Sequence, residues 1–176
     1  MSGPSGCGKT FEAERLAAKH KKGVIVSADH HFCPDLLDAL DTDEYLGIPF
    51  KHLFQLPVIK AQENYAWDPN PEAIKLAHAK CGRAFYEAVS ADDGIIIVDN
   101  TNIWIGEKAP YYAVAQWYGI DVSIIRMETP LSVCLERSVH KVPRQIIERM
   151  WHVHHARNDA GYNREELPWW QIVQVD

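Results

Sequence analysis

The sequence predicts a three-layer α/β fold, with helices on both faces of a central parallel sheet. Strand and helix signals alternate along the 176 residues, which is the pattern of right-handed strand–helix–strand units. Two strand signals, residues 24–26 and 95–98, are apolar without polar alternation, as expected for strands that are covered on both faces. The length suits one compact domain, and we expect residues 1–176 to form it.

Each element follows from its local composition. Residues 11–20 are rich in Ala, Glu, Leu and Lys and predict a helix that stops before Gly23. Another helix begins at Pro71, because proline suits the first helical turn. Residues 33–57, dotted with Pro and Asp, are predicted to be irregular. The predicted helices span residues 11–20, 71–90, 111–118, 131–138 and 143–158, and the predicted strands span residues 24–26, 95–98, 122–125 and 172–175.

Composition places the chain among ordinary globular proteins, with 47% hydrophobic and 24% charged residues. No apolar run approaches the roughly 20 residues needed to span a bilayer, and we expect no signal peptide. We therefore expect no membrane partner. The four cysteines occur singly, which predicts reduced thiols and a cytoplasmic location.

Charge is unevenly distributed. The net charge of −6 argues weakly against a surface that coats nucleic acid. Residues 27–50 carry six acids and no Lys or Arg, whereas residues 126–164 carry seven bases against four acids. A basic carboxy-terminal third would suit a phosphate-bearing partner, and an ordinary mixed surface explains the pattern equally well.

One motif carries nucleotide chemistry. Residues 3–10 read Gly-Pro-Ser-Gly-Cys-Gly-Lys-Thr and match GxxxxGK[ST] in full. Glycines let backbone N–H groups curl around a phosphate, and the next helix adds its positive end. Lys9 is predicted to reach the terminal phosphates and Thr10 to ligate Mg²⁺. The motif predicts a P-loop NTPase or kinase fold and an ATP site on Gly3, Ser5, Gly6, Cys7, Gly8, Lys9 and Thr10.

The dinucleotide-binding motif GxGxxG competes for the same residues, because Gly6 and Gly8 fit its start. We reject it, since Phe11 replaces the third glycine and Lys9 has no role in such a site.

Acidic residues follow two of the predicted strands. Strand ends in a parallel sheet converge on the ligand crevice, so Asp29 is a candidate general base for an attacking hydroxyl and Asp99 a candidate Mg²⁺ residue. The alternative for each is a turn or cap aspartate. Thr101 and Asn102 supply short polar groups at the same edge and are candidate acceptor contacts together with Asp99.

Other residues near these strand ends have weaker predictions. His30 and His31 contact an acceptor or, more commonly for such residues, serve packing or the surface. Trp104 either stacks on a base or covers the sheet.

The two helices at 131–138 and 143–158 resemble a lid, which we place at about residues 131–151. Arg137 and Arg144 flank the turn between them, and a guanidinium there suits the charge on a transferring phosphoryl group. The alternative for either is an ordinary surface arginine. His152 and His155 share a helix face and form a weak candidate metal pair, without a nearby acid or cysteine to complete it.

Taken together, residues 3–10, 27–29, 97–102, 142–143 and 147–150 resemble the polynucleotide 5′-hydroxyl kinase family. The resemblance runs from residue 1 to about 162. It implies that Asp29 is the general base, that Asp99 and Thr101 lie near acceptor and phosphates, and that a lid arginine is catalytic. The family's phage enzyme carries an acceptor-binding arginine shortly after its base, where this chain reads His-His-Phe-Cys.

The sequence therefore predicts a kinase that uses ATP and Mg²⁺ and phosphorylates a hydroxyl, first of all on a nucleic-acid end or nucleoside. A small metabolite or a hydroxymethylated DNA base is the alternative acceptor, favoured by the acids of residues 35–44, which would repel a long polyanion. A nucleotide-gated binding module with little catalysis is the alternative from another class. Nothing in the sequence indicates the oligomeric state.

The region before the phosphate-binding motif is unusual. A P-loop normally follows a buried strand, and here only Met1 and Ser2 precede Gly3. We expect the natural chain to extend upstream with a short run of Val, Ile or Leu. The alternative is a sheet with a stunted central strand.

Overall fold

The computed structural model describes residues 1–31, 71–91, 94–159 and 171–175. In chain order its elements are α1 (Lys9–Ala17), β1 (Gly23–Val26), a 3₁₀ helix (Ala28–His31), α2 (Pro71–Ser90), β2 (Ile95–Val98), α3 (Ile105–Trp117), β3 (Ser123–Met127), α4 (Leu131–Glu136), α5 (Arg144–Asp159) and β4 (Gln171–Val175). The irregular stretch predicted for residues 33–57, with its acidic part, lies outside the described residues. The predicted α/β class is confirmed.

The strands form two parallel pairs. β1 pairs with β2, with Gly23 opposite Ile95, and β3 pairs with β4, with Ser123 opposite Gln171. Parallel pairs need crossover connections, and helices supply them in this chain. The ends of β1 and β2 therefore lie side by side, which brings the residues that follow each strand together.

Met1 and Ser2 join the two pairs. The Met1 nitrogen donates to the Val98 carbonyl at 2.9 Å. Ser2 donates its N–H to Ile125 at 2.8 Å and accepts from the Met127 N–H at 2.9 Å. These two residues lie between β2 and β3 and hydrogen-bond to the strands on both sides.

A cavity of about 340 Å³ lies beside Met1, between β2 and β3. Its walls are largely apolar and include Phe85 and Tyr111 as well as the two strands.

Helix α2 covers the β1–β2 pair. Ala77, Cys81, Phe85 and Val89 recur every four residues, which places them on one face, and all four are buried. The Phe85 ring packs edge-on against Tyr111 of α3, with ring centroids 5.1 Å apart. Together with residues of β1, these side chains form the larger hydrophobic cluster.

A second hydrophobic cluster joins the phosphate loop to the carboxy-terminal helices. Its buried members are Cys7 of the loop, Met127 of β3, Cys134 of α4 and Ile147 of α5. Helices α4 and α5 therefore pack directly against the loop and the sheet through Cys134 and Ile147.

The observed element bounds differ from the predicted ones mainly at α3, which begins at Ile105 rather than at residue 111. The Glu107 carboxylate accepts the Trp104 N–H at 3.0 Å and so satisfies a donor at the helix start. Because α3 begins at Ile105, Pro110 lies inside the helix. Among the described helices, none has the length and apolar character to cross a bilayer.

Candidate active site

The phosphate loop lies between Ser2 and the start of α1. Gly6 and Gly8 have φ values of 78° and 90°, in the left-handed region that favours glycine. A Cβ on Gly6 would also collide with the backbone carbonyl of Cys134 in α4. The loop therefore requires glycine at position 6 for its own turn and for its contact with the lid.

Lys9 and Thr10 begin helix α1, so both stand at its positive end. The Lys9 ammonium donates to the Pro4 carbonyl at 2.8 Å and lies 3.8 Å from the Cys7 sulfur, folded across the loop. The Thr10 hydroxyl donates to Oδ2 of Asp99 at 2.7 Å. The structure thus brings Thr10 and Asp99 together as the sequence predicts.

Asp99 follows β2 and is buried, with 5% of its surface exposed. Its second oxygen, Oδ1, has no hydrogen-bond partner within the described part of the chain. A buried carboxylate oxygen without a donor is costly, and a hydroxyl and a carboxylate are oxygen ligands of the kind Mg²⁺ takes. The pair Thr10 and Asp99 therefore fits a magnesium ion.

Side-chain hydrogen bonds connect the ends of β1 and β2. The Ser27 hydroxyl donates to the Asp99 carbonyl at 2.7 Å. The Ala28 N–H donates to the Asn100 side chain at 2.8 Å, and the Asp29 N–H donates to the Ser27 hydroxyl at 3.2 Å. The 3₁₀ turn that presents Asp29 is thereby held to the neighbouring strand.

Sequence reasoning missed this role of Asn100, which is buried and also lies 3.4 Å from both Cys81 and Tyr111. The available signal was its position two residues after an apolar strand.

A cavity of about 460 Å³ brings most of the predicted site together. Its lining includes Gly6 and Gly8 of the loop and, from four separate parts of the chain, Lys9 and Thr10, Asp29, Asp99 and Thr101, and Arg137. A phosphate loop, two carboxylates and a lid guanidinium therefore share one solvent-accessible space. The volume suits a small-molecule site.

Arg144 and Asn102 are placed elsewhere. Arg144 is exposed on α5, where its Nε donates to Glu148 at 2.7 Å, and it does not line the cavity. Asn102 is buried, has a φ of 44°, and donates its side-chain amide to the Met1 carbonyl at 3.0 Å. It lines the cavity beside Met1 instead, because the left-handed turn directs it back to the sheet. Of the two lid arginines, only Arg137 faces the predicted site.

The histidines of α5 are arranged differently from the weak candidate metal pair considered above. His152 is exposed, whereas His155 stacks on Trp151 at a centroid distance of 3.9 Å and lies 3.3 Å from Glu128. Among the described residues, no group of three or more His, Cys, Asp or Glu is arranged to hold a metal.

His154 is buried, and its Nε2 lies 2.9 Å from the Met127 carbonyl oxygen. Burial lowers its pKa to about 4, with a further lowering by the nearby Arg126. His154 is therefore a neutral packing residue at ordinary pH.

The lid also places a histidine that sequence reasoning did not single out. Nε2 of His140 lies 3.7 Å from Oδ2 of Asp29, and both residues line the cavity. The position of His140 in the turn between two candidate arginines was the only available signal.

Comparisons with known proteins identify the family and the fold. A family model described as "AAA domain" matches residues 1–167. NEDD4-binding protein 2 of Homo sapiens is 28% identical over 155 residues, which cover 85% of this chain and 7% of that protein. The chain thus spans a small fraction of that relative's length.

A gluconokinase from Sinorhizobium meliloti 1021 has a similar solved structure, with a TM-score of 0.51 and 15% identity, covering 99% of this chain and 79% of the other. This likeness concerns the fold, and the predicted P-loop kinase fold with a parallel sheet is confirmed.

Proposed function

Since the chain belongs to the AAA domain family of P-loop proteins, we propose that it is a kinase that transfers the γ-phosphoryl group of ATP to a hydroxyl acceptor. The observation that carries the proposal is the shared cavity. A phosphate loop with Lys9, the pair Thr10 and Asp99, the carboxylate of Asp29 and the guanidinium of Arg137 all line it. These are the parts that phosphoryl transfer needs: positioning and charge stabilisation around one phosphorus atom.

The phosphates of ATP are proposed to lie in the loop, against its backbone N–H groups and the start of α1. The Lys9 ammonium lies across the loop, where it donates to the Pro4 carbonyl. When ATP binds, we expect Lys9 to exchange this hydrogen bond for bonds to the terminal phosphates. Thr10 and Asp99 would hold Mg²⁺, which when bound would neutralise negative charge on the phosphates.

Asp29 is proposed as the general base. Its side chain is 54% exposed, so a hydroxyl has access to it, while its backbone is held to β2. The acceptor oxygen forms a bond to the γ-phosphorus. At the same time, the bond between that phosphorus and the oxygen that bridges the β- and γ-phosphates breaks. ADP leaves, and the hydroxyl proton passes to the Asp29 carboxylate.

Arg137 is proposed as the lid arginine that stabilises the transferring group. It caps the end of α4 and lines the cavity, and a guanidinium offers several donors to the equatorial phosphoryl oxygens. We no longer propose this role for Arg144, because Glu148 binds it on the outer face of α5.

A polynucleotide 5′-hydroxyl or a related nucleoside hydroxyl is our first proposal for the acceptor. The support comes from two segments that resemble the polynucleotide 5′-hydroxyl kinase family. Asp99, Asn100 and Thr101 of the Asp-Asn-Thr-Asn run after β2 line the cavity, and so does Val142 of the Val-Pro pair in the lid.

A small hydroxylated metabolite is the second candidate, supported by the fold similarity to a gluconokinase and by the acidic residues 35–44.

A transfer screen with γ-labelled ATP tests both acceptors and the kinase proposal itself. We expect label on 5′-hydroxyl oligonucleotides rather than on sugars. Lys9→Ala should remove the activity without unfolding the protein, because the Lys9 ammonium bonds Pro4 and Cys7 of the loop rather than the core. ATP binding without transfer to any acceptor would favour the binding module, and a Lys9→Ala protein with normal turnover would contradict the site.

A further inference from the structure

We propose that Thr129 is a positioning residue for the phosphate loop, which it holds so that the Gly8 N–H points at the bound phosphates. The inference rests on the function proposed above, in that the loop takes the phosphates of ATP. The observation that carries it is a buried hydrogen bond of 2.8 Å from the Thr129 hydroxyl to the Cys7 carbonyl. These two residues are 122 positions apart in the chain.

This bond sets the direction of the peptide unit between Cys7 and Gly8. The unit is planar and trans, so its C=O and its N–H point to opposite sides. The carbonyl points to the buried Thr129, and the Gly8 N–H therefore points the other way. Gly8 lines the cavity of the site. We expect its N–H to donate to a phosphate oxygen, as the backbone donors of a phosphate-binding loop do.

The backbone of the loop needs such a restraint. Cys7 stands between Gly6 and Gly8, and glycine leaves the backbone on either side more freedom to rotate than other residues do. The Cys7 N–H reaches the Pro4 carbonyl at 3.4 Å, which is long for a hydrogen bond. The shorter bond from Thr129 is thus the closer restraint on this part of the loop.

Thr129 is itself fixed by its surroundings. It lies between strand β3 and helix α4, and the proline that follows restricts its backbone to extended conformations. Its carbonyl accepts the indole N–H of Trp151 in α5 at 3.0 Å and lies 3.7 Å from the Cys134 sulfur of α4. Both lid helices therefore contact the residue that holds the loop.

A positioning role and a merely structural role have different consequences. A hydroxyl that only satisfies a buried carbonyl stabilises the folded chain, and its removal leaves the nucleotide affinity of the folded protein unchanged. A hydroxyl that directs the Gly8 N–H contributes to phosphate binding as well. Stability and nucleotide affinity measured on the same variants separate the two roles.

Thr129→Val tests the inference, because it removes the hydroxyl and keeps the shape of the side chain. We expect it to raise the Kd for Mg–ADP about 10-fold, which is within the range of one hydrogen bond to a charged group. Thr129→Ser keeps the hydroxyl and should bind Mg–ADP as the unchanged protein does. Titration calorimetry measures the Kd, and urea unfolding of the same samples measures the stability.

Ser2→Ala is the matched control. It also removes a buried hydroxyl that donates to a backbone carbonyl, that of Asn102 at 2.9 Å, but this bond lies outside the loop. Ser2→Ala should lose stability and keep its affinity for Mg–ADP. Thr129→Cys serves if Thr129→Val does not fold. A thiol is a weak donor, so this variant should bind Mg–ADP more weakly than Thr129→Ser.

Several results would overturn the inference. They are a normal Kd in Thr129→Val, equal losses of affinity in the valine and serine variants, an equal loss in Ser2→Ala, or equal affinities of Thr129→Ser and Thr129→Cys. The measurement needs no acceptor. A protein that binds Mg–ADP but phosphorylates no hydroxyl would therefore contradict the proposed kinase and leave this inference standing, whereas absence of Mg–ADP binding would overturn both.

Discussion

Asp29 is the single residue on which the proposed chemistry depends most. Asn has nearly the same shape as Asp and leaves in place the bond from its own N–H to Ser27 and the bond from the Ala28 N–H to Asn100, but it is not a general base. We expect Asp29→Asn to bind ATP normally and to lose about 100- to 10,000-fold in transfer rate. Equilibrium nucleotide binding and single-turnover transfer measure the two effects. Retention of more than about a tenth of the rate would make Asp29 a turn residue only.

His154 gives the fold a dependence on pH. Its pKa is lowered from 6.5 to about 4 by burial and by Arg126, with His155 and Glu128 also nearby. The unfolded chain therefore binds a proton at higher pH than the folded chain does. Stability is complete above about pH 6.5 and is lost as pH falls towards 4, by up to roughly 3 kcal/mol from this group.

Urea unfolding at pH 7.5 and pH 4.5 measures this effect. His154→Gln should flatten the pH dependence, even if it lowers stability at both values, because glutamine does not titrate. His152→Gln, on the exposed side of the same helix, should leave the dependence as it is. Equal pH dependence in His154→Gln and the unchanged protein would show that other groups are responsible.

At the scale of structural elements, the phosphate loop is in direct contact with the lid. Gly6 turns with positive φ directly against the Cys134 carbonyl of α4. Gly6→Ala should cost about 1–2 kcal/mol for the left-handed backbone and about 1–3 kcal/mol for the overpacking. Thermal or urea unfolding checks this.

Gly82→Ala is the matched control for that change. Gly82 lies inside α2 with nothing within 4 Å of an added Cβ, so alanine there should stabilise the protein by about 0.5–1 kcal/mol. A Gly6→Ala protein as stable as the Gly82→Ala protein would contradict the proposed contact between loop and lid.

Elements with complete local signals were predictable from the sequence. Helix α2 and strand β2 have the predicted bounds, because Pro71 marks the helix start and four consecutive β-branched residues form the strand. Helix α1, by contrast, begins at Lys9 inside the phosphate-binding motif, two residues before the predicted start at residue 11.

The sequence could not reveal which way a side chain points. Arg137 and Arg144 stand on either side of one turn, and only the end of α4 and the Glu148 bond decide which of them faces the cavity. Asn102 follows three residues that line the site, yet its positive φ turns it to the sheet. These outcomes depend on dihedral angles and distant partners, which residue type alone does not specify.

As a whole molecule, the described structure has two hydrophobic clusters, one under α2 and one under the lid. The segment of Met1 and Ser2 hydrogen-bonds to both strand pairs, and the phosphate loop follows it immediately. A ligand in the loop therefore contacts the junction of the two halves rather than one half alone. Nucleotide binding should stabilise that junction most.

The alkylation rates of the buried thiols measure how often the structure around each of them opens. Burial raises the pKa of Cys7, Cys81 and Cys134, so these thiols react slowly until the surrounding structure opens. Cys7 belongs to the loop–lid cluster and Cys81 to the other. In a Cys33→Ser background, we expect Mg–ATP to slow alkylation of Cys7 strongly and that of Cys81 weakly, as followed by peptide mass spectrometry. Equal protection of both thiols would mean that the two clusters open as one cooperative unit, so that each labelling rate would report global unfolding.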